Sequence, residues 1–139
     1  MKYPEASPSR QNPLPVALVV DNEPFVLLLL STVLASKGWH VIQASDGCEA
    51  LARIEGVELT LLITDFEMPG MDGIELARRV GLRDPKLPVL MVSGRPQQSL
   101  ALENRPAAFL AKPFRIEDLM GHIAALTGVP PAASYGAAL

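Results

Sequence analysis

The chain reads as a single α/β domain, doubly wound, with five βα units around a five-stranded parallel sheet. Three observations predict this. Short apolar runs recur five times along the 139 residues, alternating with segments of helical periodicity. Runs such as LTLLIT at 59–64 show no polar alternation, so both faces must be buried, as in a parallel sheet covered by helices. The length and the 49% hydrophobic content provide for one packed core and leave no room for two.

The first strand is expected at Val16–Val20. It leads into a helix over 23–37, where Pro24 sits in the first turn and loses nothing by lacking an N–H. Gly38 closes that helix. His40–Ala44 is the second strand, with Trp39 beside its start, and Ser45-Asp46 can cap a helix over 46–55. Leu59–Thr64 is the third strand, followed by a helix over 73–82, and Val89–Val92 is the fourth. Pro96 and Pro106 bracket the next segment, so the fourth helix, near 97–103, is short or irregular. Ala108–Ala111 is the fifth strand. The last helix, 115–127, carries Ile116, Leu119, Ile123 and Leu126 at three- and four-residue spacing, an amphipathic face. Residues 1–13 and 129–139 are rich in Pro, Ser and Ala and read as flexible tails around a domain at 14–128.

Composition removes several function classes. Twelve basic against fifteen acidic residues, with no basic stripe, speak against nucleic-acid binding. Cys48 is the only cysteine, which excludes a disulfide framework and a thiolate metal cluster and fits a reducing cytoplasm; on its helix it reads as a small packing residue. The apolar stretch from Phe25 to Ala35 includes Ser31 and Thr32 and falls well short of the ~20 residues of a membrane span. The polar N-terminus lacks the apolar core of a signal peptide.

In open α/β sheets, chemistry collects beyond the carboxyl ends of the strands. The first strand ends in Asp21-Asn22-Glu23 and the third in Asp65-Phe66-Glu67. The fourth ends in Ser93-Gly94-Arg95 and the fifth in Lys112-Pro113-Phe114. Any one of these polar residues is ordinarily a loop residue or a helix cap. As a set they would bring carboxylates, a hydroxyl and an ammonium to one rim. Clustered carboxylates repel unless a cation lies among them, and oxygen ligands favour Mg²⁺ or Ca²⁺. Lysine supplies a point charge for an anion such as phosphate. That combination suits phosphoryl transfer to a carboxylate, with Asp65 as nucleophile and Mg²⁺ and Lys112 neutralising charge on the transferred group.

The segments VVDNEP, TDFEMPGMDG, VSG and AFLAKPF resemble the phosphorylation site of the response-regulator receiver domain, over about residues 14–128. The resemblance implies a flavodoxin-like fold and a signalling domain of two-component or phosphorelay systems. Asp65 would be the phosphoacceptor, Lys112 the ion-pair partner of the phosphoryl group, Ser93 the switch hydroxyl and Phe109 the aromatic that turns inward on activation. Asp21, Asn22, Asp65 and the backbone carbonyl of Glu67 would form the Mg²⁺ shell. The donor would be a phosphohistidine on a histidine kinase or a histidine phosphotransfer protein; a homodimer is compatible with this, as is an unknown downstream protein partner. Such a domain catalyses its own phosphorylation and dephosphorylation and is not an enzyme in the usual sense.

This sequence departs from the family pattern in four respects. Asn22 stands where a second acid is usual, so Mg²⁺ affinity should fall; it could also serve simply as a helix cap. Glu67 and Arg95 lie two residues beyond Asp65 and Ser93. They could pair across the mouth and screen a phosphoryl group from water, or be two solvated loop charges. The short segment from Ser93 to Lys112 makes the family's usual output and dimer surface doubtful here. On a helical wheel Val26, Leu29, Leu30 and Val33 of the first helix face the core, leaving Phe25, Leu27 and Leu28 outside, either as an apolar docking surface for the kinase or as ordinary exposed apolar residues that neighbouring tails cover.

Two rivals stand beside this reading. A Mg²⁺-dependent aspartyl-phosphate phosphatase of the haloacid dehalogenase type would need Asp-x-Asp at the nucleophile and a longer chain. A receiver-like docking module that takes no phosphate has Asn22 as its best argument. The chain is either free-standing or a piece of a longer protein; Met1 and the natural-looking tail favour the former.

Overall fold

The computed structural model describes residues 13–95 and 105–130. Five strands, β1 (Val16–Val20), β2 (His40–Ala44), β3 (Leu61–Asp65), β4 (Val89–Ser93) and β5 (Ala107–Ala111), form one parallel sheet in the order β2-β1-β3-β4-β5. The helices are α1 (Pro24–Ser36), α2 (Gly47–Arg53), α3 (Gly73–Arg83) and α4 (Ile116–Thr127). The predicted doubly wound α/β class is the observed one. The expected short helix near 97–103 and most of both tails lie outside the described residues.

Alternate residues of each strand enter opposite halves of the core, as the period of two requires. Leu18, Val20, Leu62, Val89 and Met91 pack with Ala50 of α2 and Leu76, Ala77 and Val80 of α3. Ala17, Val19, Leu61, Ile63, Leu90 and Val92 pack on the other side with Leu30 and Leu34 of α1 and Leu119 and Ile123 of α4. β1, β3 and β4 are buried almost throughout, which accounts for their uninterrupted apolar sequence.

Helix ends follow the residues that mark them. Asp46 and Asp72 cap α2 and α3 by accepting the backbone N–H groups of Glu49 and Glu75, each at 2.8 Å. Glu49 in turn accepts from Ser45 N–H and hydroxyl and from Arg53, and these bonds hold its carboxyl at about 2. Gly38, at φ 97°, turns the chain out of α1 as predicted.

Several local expectations change. Leu29 is exposed, while Leu27 packs against the core beside Leu30, Ser31 and Leu34. The inward face of α1 is therefore rotated by about one residue from the wheel assignment. Val26 and Val33 are partly buried at its edge, and Phe25 and Leu28 are exposed as expected. Ile116 is also exposed, because it lies at the start of α4 ahead of the turn that meets the sheet. Cys48 points to solvent rather than into the packing; Gly47 and Ala50 occupy the inward positions of α2. β3 begins two residues later than expected and includes Asp65. Thr60 stands before it, exchanging hydrogen bonds with Val16.

Candidate functional site

The order β2-β1-β3-β4-β5 reverses direction at β1 and β3, and the carboxyl ends of these two strands flank the crevice where such folds bind ligands. Asp21 follows β1 and is fully buried; Asp65 is the last residue of β3 and only 5% exposed. Lys112 follows β5. Its Nζ lies 3.1 Å from Asp21 Oδ2 and 3.5 Å from Asp65 Oδ1. The three side chains that motif spacing places on separate loops are thus one cluster.

Local contacts hold this cluster in place. Asp21 Oδ1 accepts the Glu23 backbone N–H at 2.8 Å, and Asp65 Oδ1 accepts that of Glu67 at 3.4 Å. Phe66 N–H bonds to Val92 carbonyl and Lys112 N–H to Ser93 carbonyl, each at 2.8 Å, which ties the loops of β3, β4 and β5 together. Gly73, the first residue of α3, donates its N–H to Phe66 carbonyl at 2.9 Å. A Cβ at Gly73 would strike the Asp65 carbonyl oxygen and Met91 Sδ, so only glycine lets α3 start this close to Asp65.

Burial and the neighbouring Asp21 charge push the Asp65 carboxyl above its ordinary range, and Lys112 and the Glu67 N–H only partly oppose them. Burial disfavours the Lys112 ammonium as well. Its contacts with Glu23 and Asp21, and the charge of Asp65, outweigh that and raise its pKa above the usual lysine value. Asp21 Oδ2 is buried and, although close to Nζ, is not aligned with any hydrogen-bond donor. Three carboxylates therefore surround one ammonium, with a lone pair of Asp21 left unused.

This donor set fits a small hard cation. Among the described residues no three His, Cys, Asp or Glu side chains form a metal cage by themselves. Mg²⁺ does not require one, since it is commonly held by one or two carboxylates with further oxygen ligands and water. Asn22 is exposed beside Asp65 and Glu67 on the rim of a groove of about 630 Å³. It does not cap α1; the N-cap is Glu23, whose side chain makes no capping bond.

Ser93 is fully buried, and its Oγ accepts the Arg95 N–H at 3.0 Å. Phe109 lies on β5 opposite Met91 and is partly buried against the core. Glu67 and Arg95 do pair, with Oε2 and Nε 3.0 Å apart, and both side chains remain exposed to solvent. Glu23 was not among the residues assigned to the site from sequence, yet its Oε1 lies 3.0 Å from Lys112 Nζ. A glutamate just past a strand end looks like any loop residue, and only the fold shows that lysine 89 positions later is its partner.

The family model of the response regulator receiver domain matches residues 17–124. The chain belongs to this family. Its relatives include the response regulator receiver protein CpdR of Brucella abortus, 35% identical over 109 residues that make up 76% of this chain and 91% of CpdR. Sporulation initiation phosphotransferase F of Bacillus subtilis is 30% identical, with 73% of this chain and 85% of that protein covered. Other relatives are longer: the match to the transcriptional regulatory protein TrcR of Mycobacterium tuberculosis spans 44% of TrcR, at 33% identity. Among solved structures, the chemotaxis protein CheY4 of Vibrio cholerae superposes with a TM-score of 0.75 at 27% identity, covering 81% of this chain and 98% of CheY4. The response regulator TrrA of Thermotoga maritima, solved with Mg²⁺ and BeF, gives 0.71 at 26% identity over 81% of this chain and 99% of TrrA. The protein is thus a receiver domain of two-component signalling. No helix among the described residues is long and apolar enough to cross a membrane.

Proposed function

We propose that this receiver domain accepts a phosphoryl group on Asp65 from a phosphohistidine of a histidine kinase or phosphotransfer protein. The observation that carries this is the convergence of Lys112 Nζ on Asp21 and Asp65 at the carboxyl ends of β1 and β3. A carboxylate oxygen of Asp65 attacks phosphorus; the new O–P bond forms as the N–P bond to the imidazole breaks, and the histidine leaves as the free base or takes up a proton from water. Lys112 provides the ammonium that offsets charge on the transferred oxygens. Asp21, Asn22, Asp65 and the Glu67 carbonyl would hold Mg²⁺, which supplies electrostatic stabilisation of the phosphoryl oxygens when bound. The domain promotes this transfer on itself, as well as the later hydrolysis in which water breaks the Asp65 O–P bond and inorganic phosphate leaves, and does not turn over a separate substrate.

Ser93 would leave the Arg95 N–H to reach the phosphoryl group, and Phe109 would fill the space behind it. The phosphate then shifts a population between two packings of the β4–β5 side. Phe25 and Leu28, 78% and 60% exposed on a helix without a single charge, would meet the phosphodonor, together with Leu29, Pro113 and Phe114 beside the groove. Leu28→Lys is expected to weaken kinase binding, and unchanged binding would remove α1 from the docking surface. The cytoplasm is the compartment where such donors act.

The test is incubation with acetyl phosphate and Mg²⁺. Intact mass should rise by one phosphoryl group in the wild type and not in Asp65→Asn. No incorporation from acetyl phosphate, together with no response to beryllofluoride, would leave the docking-module reading in its place.

A further inference from the structure

We propose that Glu23 is a displaceable counter-anion of Lys112, a positioning residue whose carboxylate competes with the incoming phosphoryl group for the ammonium. This deepens the phosphoacceptor reading and rests on it.

A lysine ammonium has three N–H donors. Lys112 Nζ has three carboxylate neighbours, at 3.0 Å (Glu23), 3.1 Å (Asp21) and 3.5 Å (Asp65). Among these only Glu23 accepts a hydrogen bond from Nζ; Asp21 Oδ2 is close but not aligned and Asp65 is the farthest, so a phosphoryl oxygen arriving on Asp65 competes first with Glu23. The three are not equally easy to release. Asp21 is fully buried and anchored through Oδ1 to the Glu23 N–H; Asp65 is the reacting group. Glu23 has a side chain 60% exposed, makes no cap to α1, and swings from a backbone that its own N–H bond keeps in place. Its carboxylate can move into water while its Cα stays put.

Geometry places this contact across the entrance. Glu23 comes from the β1–α1 loop and Lys112 from the β5–α4 loop, and both line the groove that also contains Asp65 and Glu67. An anionic donor entering there meets the Glu23 charge and finds the ammonium already engaged. Asn22 gives the contact added weight. With a neutral amide at that position, Glu23 adds negative charge on the β1–α1 loop, but places it on the lysine. Glu23 thus sets how readily Asp65 reacts with small anionic donors, whereas a docked protein donor could displace it with binding energy from the surrounding surface.

Glu23→Gln keeps the length of the side chain and removes its charge. Beryllofluoride affinity in the presence of Mg²⁺ should rise about three- to fivefold, as release of a partly exposed ion pair allows. The concentration of acetyl phosphate giving half-maximal rate should fall by a similar factor; in that reaction the Asp65 O–P bond forms as the acetyl O–P bond breaks and acetate leaves. A merely structural glutamate would not produce tighter binding on removal. Unchanged or weaker beryllofluoride binding by Glu23→Gln overturns the proposal, as does weaker Mg²⁺ binding accompanied by slower phosphorylation, which would make Glu23 a contributor to the cation site. A wild type that reacts, with a variant that reacts identically, refutes only the role of Glu23. No response from either form refutes the phosphoacceptor reading as well.

Discussion

Lys112 meets Asp21 and Asp65 with 16% of its side chain in solvent, and the two carboxylates are at 0% and 7%. Arg95 meets Glu67 at 3.0 Å on the same rim, with the side chains 74% and 43% exposed. The separations are alike; the surroundings are not. Water screens the outer pair and leaves it worth at most about 1 kcal/mol. The inner charges have lost most of their hydration, so each depends on the others and any change in their number is felt by all. Depth, more than distance, separates the part of the rim that can do chemistry from the part that can only modulate it.

Substitutions can break or sharpen this contrast. Lys112→Ala has the largest expected effect. It leaves Asp21 and Asp65 buried without a cation and should cost about 3 kcal/mol in urea unfolding without metal. Mg²⁺ should recover more stability in this variant than in the wild type. A loss below about 1 kcal/mol would show that the inner carboxylates are better solvated than their burial implies.

Asp65→Asn should act in the opposite direction, stabilising the metal-free protein by about 1 kcal/mol at neutral pH, because Lys112 keeps Asp21 and Glu23. The sign follows from linkage. The folded-state pKa of Asp65 is raised, so between the unfolded and folded values the native state binds more protons than the unfolded state. Stability from this group is complete below the ordinary aspartate range, about pH 4, and is lost as pH rises through the raised value. Unfolding midpoints across that range should fall in the wild type and stay flatter in Asp65→Asn.

Asn22→Asp adds a third acid beside Asp21 and Asp65. It should tighten Mg²⁺ about three- to fivefold in a titration, and unchanged affinity would remove Asn22 from the ligand set. The outer pair should matter least to the fold. Glu67→Ala with Arg95→Ala should change unfolding free energy by less than about 0.5 kcal/mol. Its measurable consequence would be a shorter lifetime of phosphorylated Asp65, and an unaltered lifetime would limit the pair to a surface contact.

Helices α1 and α3 show how far residue patterns reach. In α3, Asp72 caps the start, Glu75 pairs with Arg79 at 2.9 Å on the outside, and Leu76, Ala77 and Val80 are buried. Apart from the exposed Leu82 near its end, polar and apolar residues divide between the two faces there, so orientation is legible. In α1 the run PFVLLLLSTVLAS carries no charge and apolar side chains project all round. Its period establishes a helix without selecting a face. Packing of Leu27, Leu30 and Leu34 against β1 and its neighbours chose the rotation, and left Leu29 outside.

The site divides along the same line. Strand ends, helix caps and the acids that follow β1 and β3 are local features, written in residues a few positions apart, and could be read without coordinates. The burial of Asp21 and the hold of Glu23 on Lys112 depend on segments up to 89 residues distant meeting in space. Short-range patterning specifies which groups are available at the rim; only closure of the sheet decides which of them lose their water and which partners they keep.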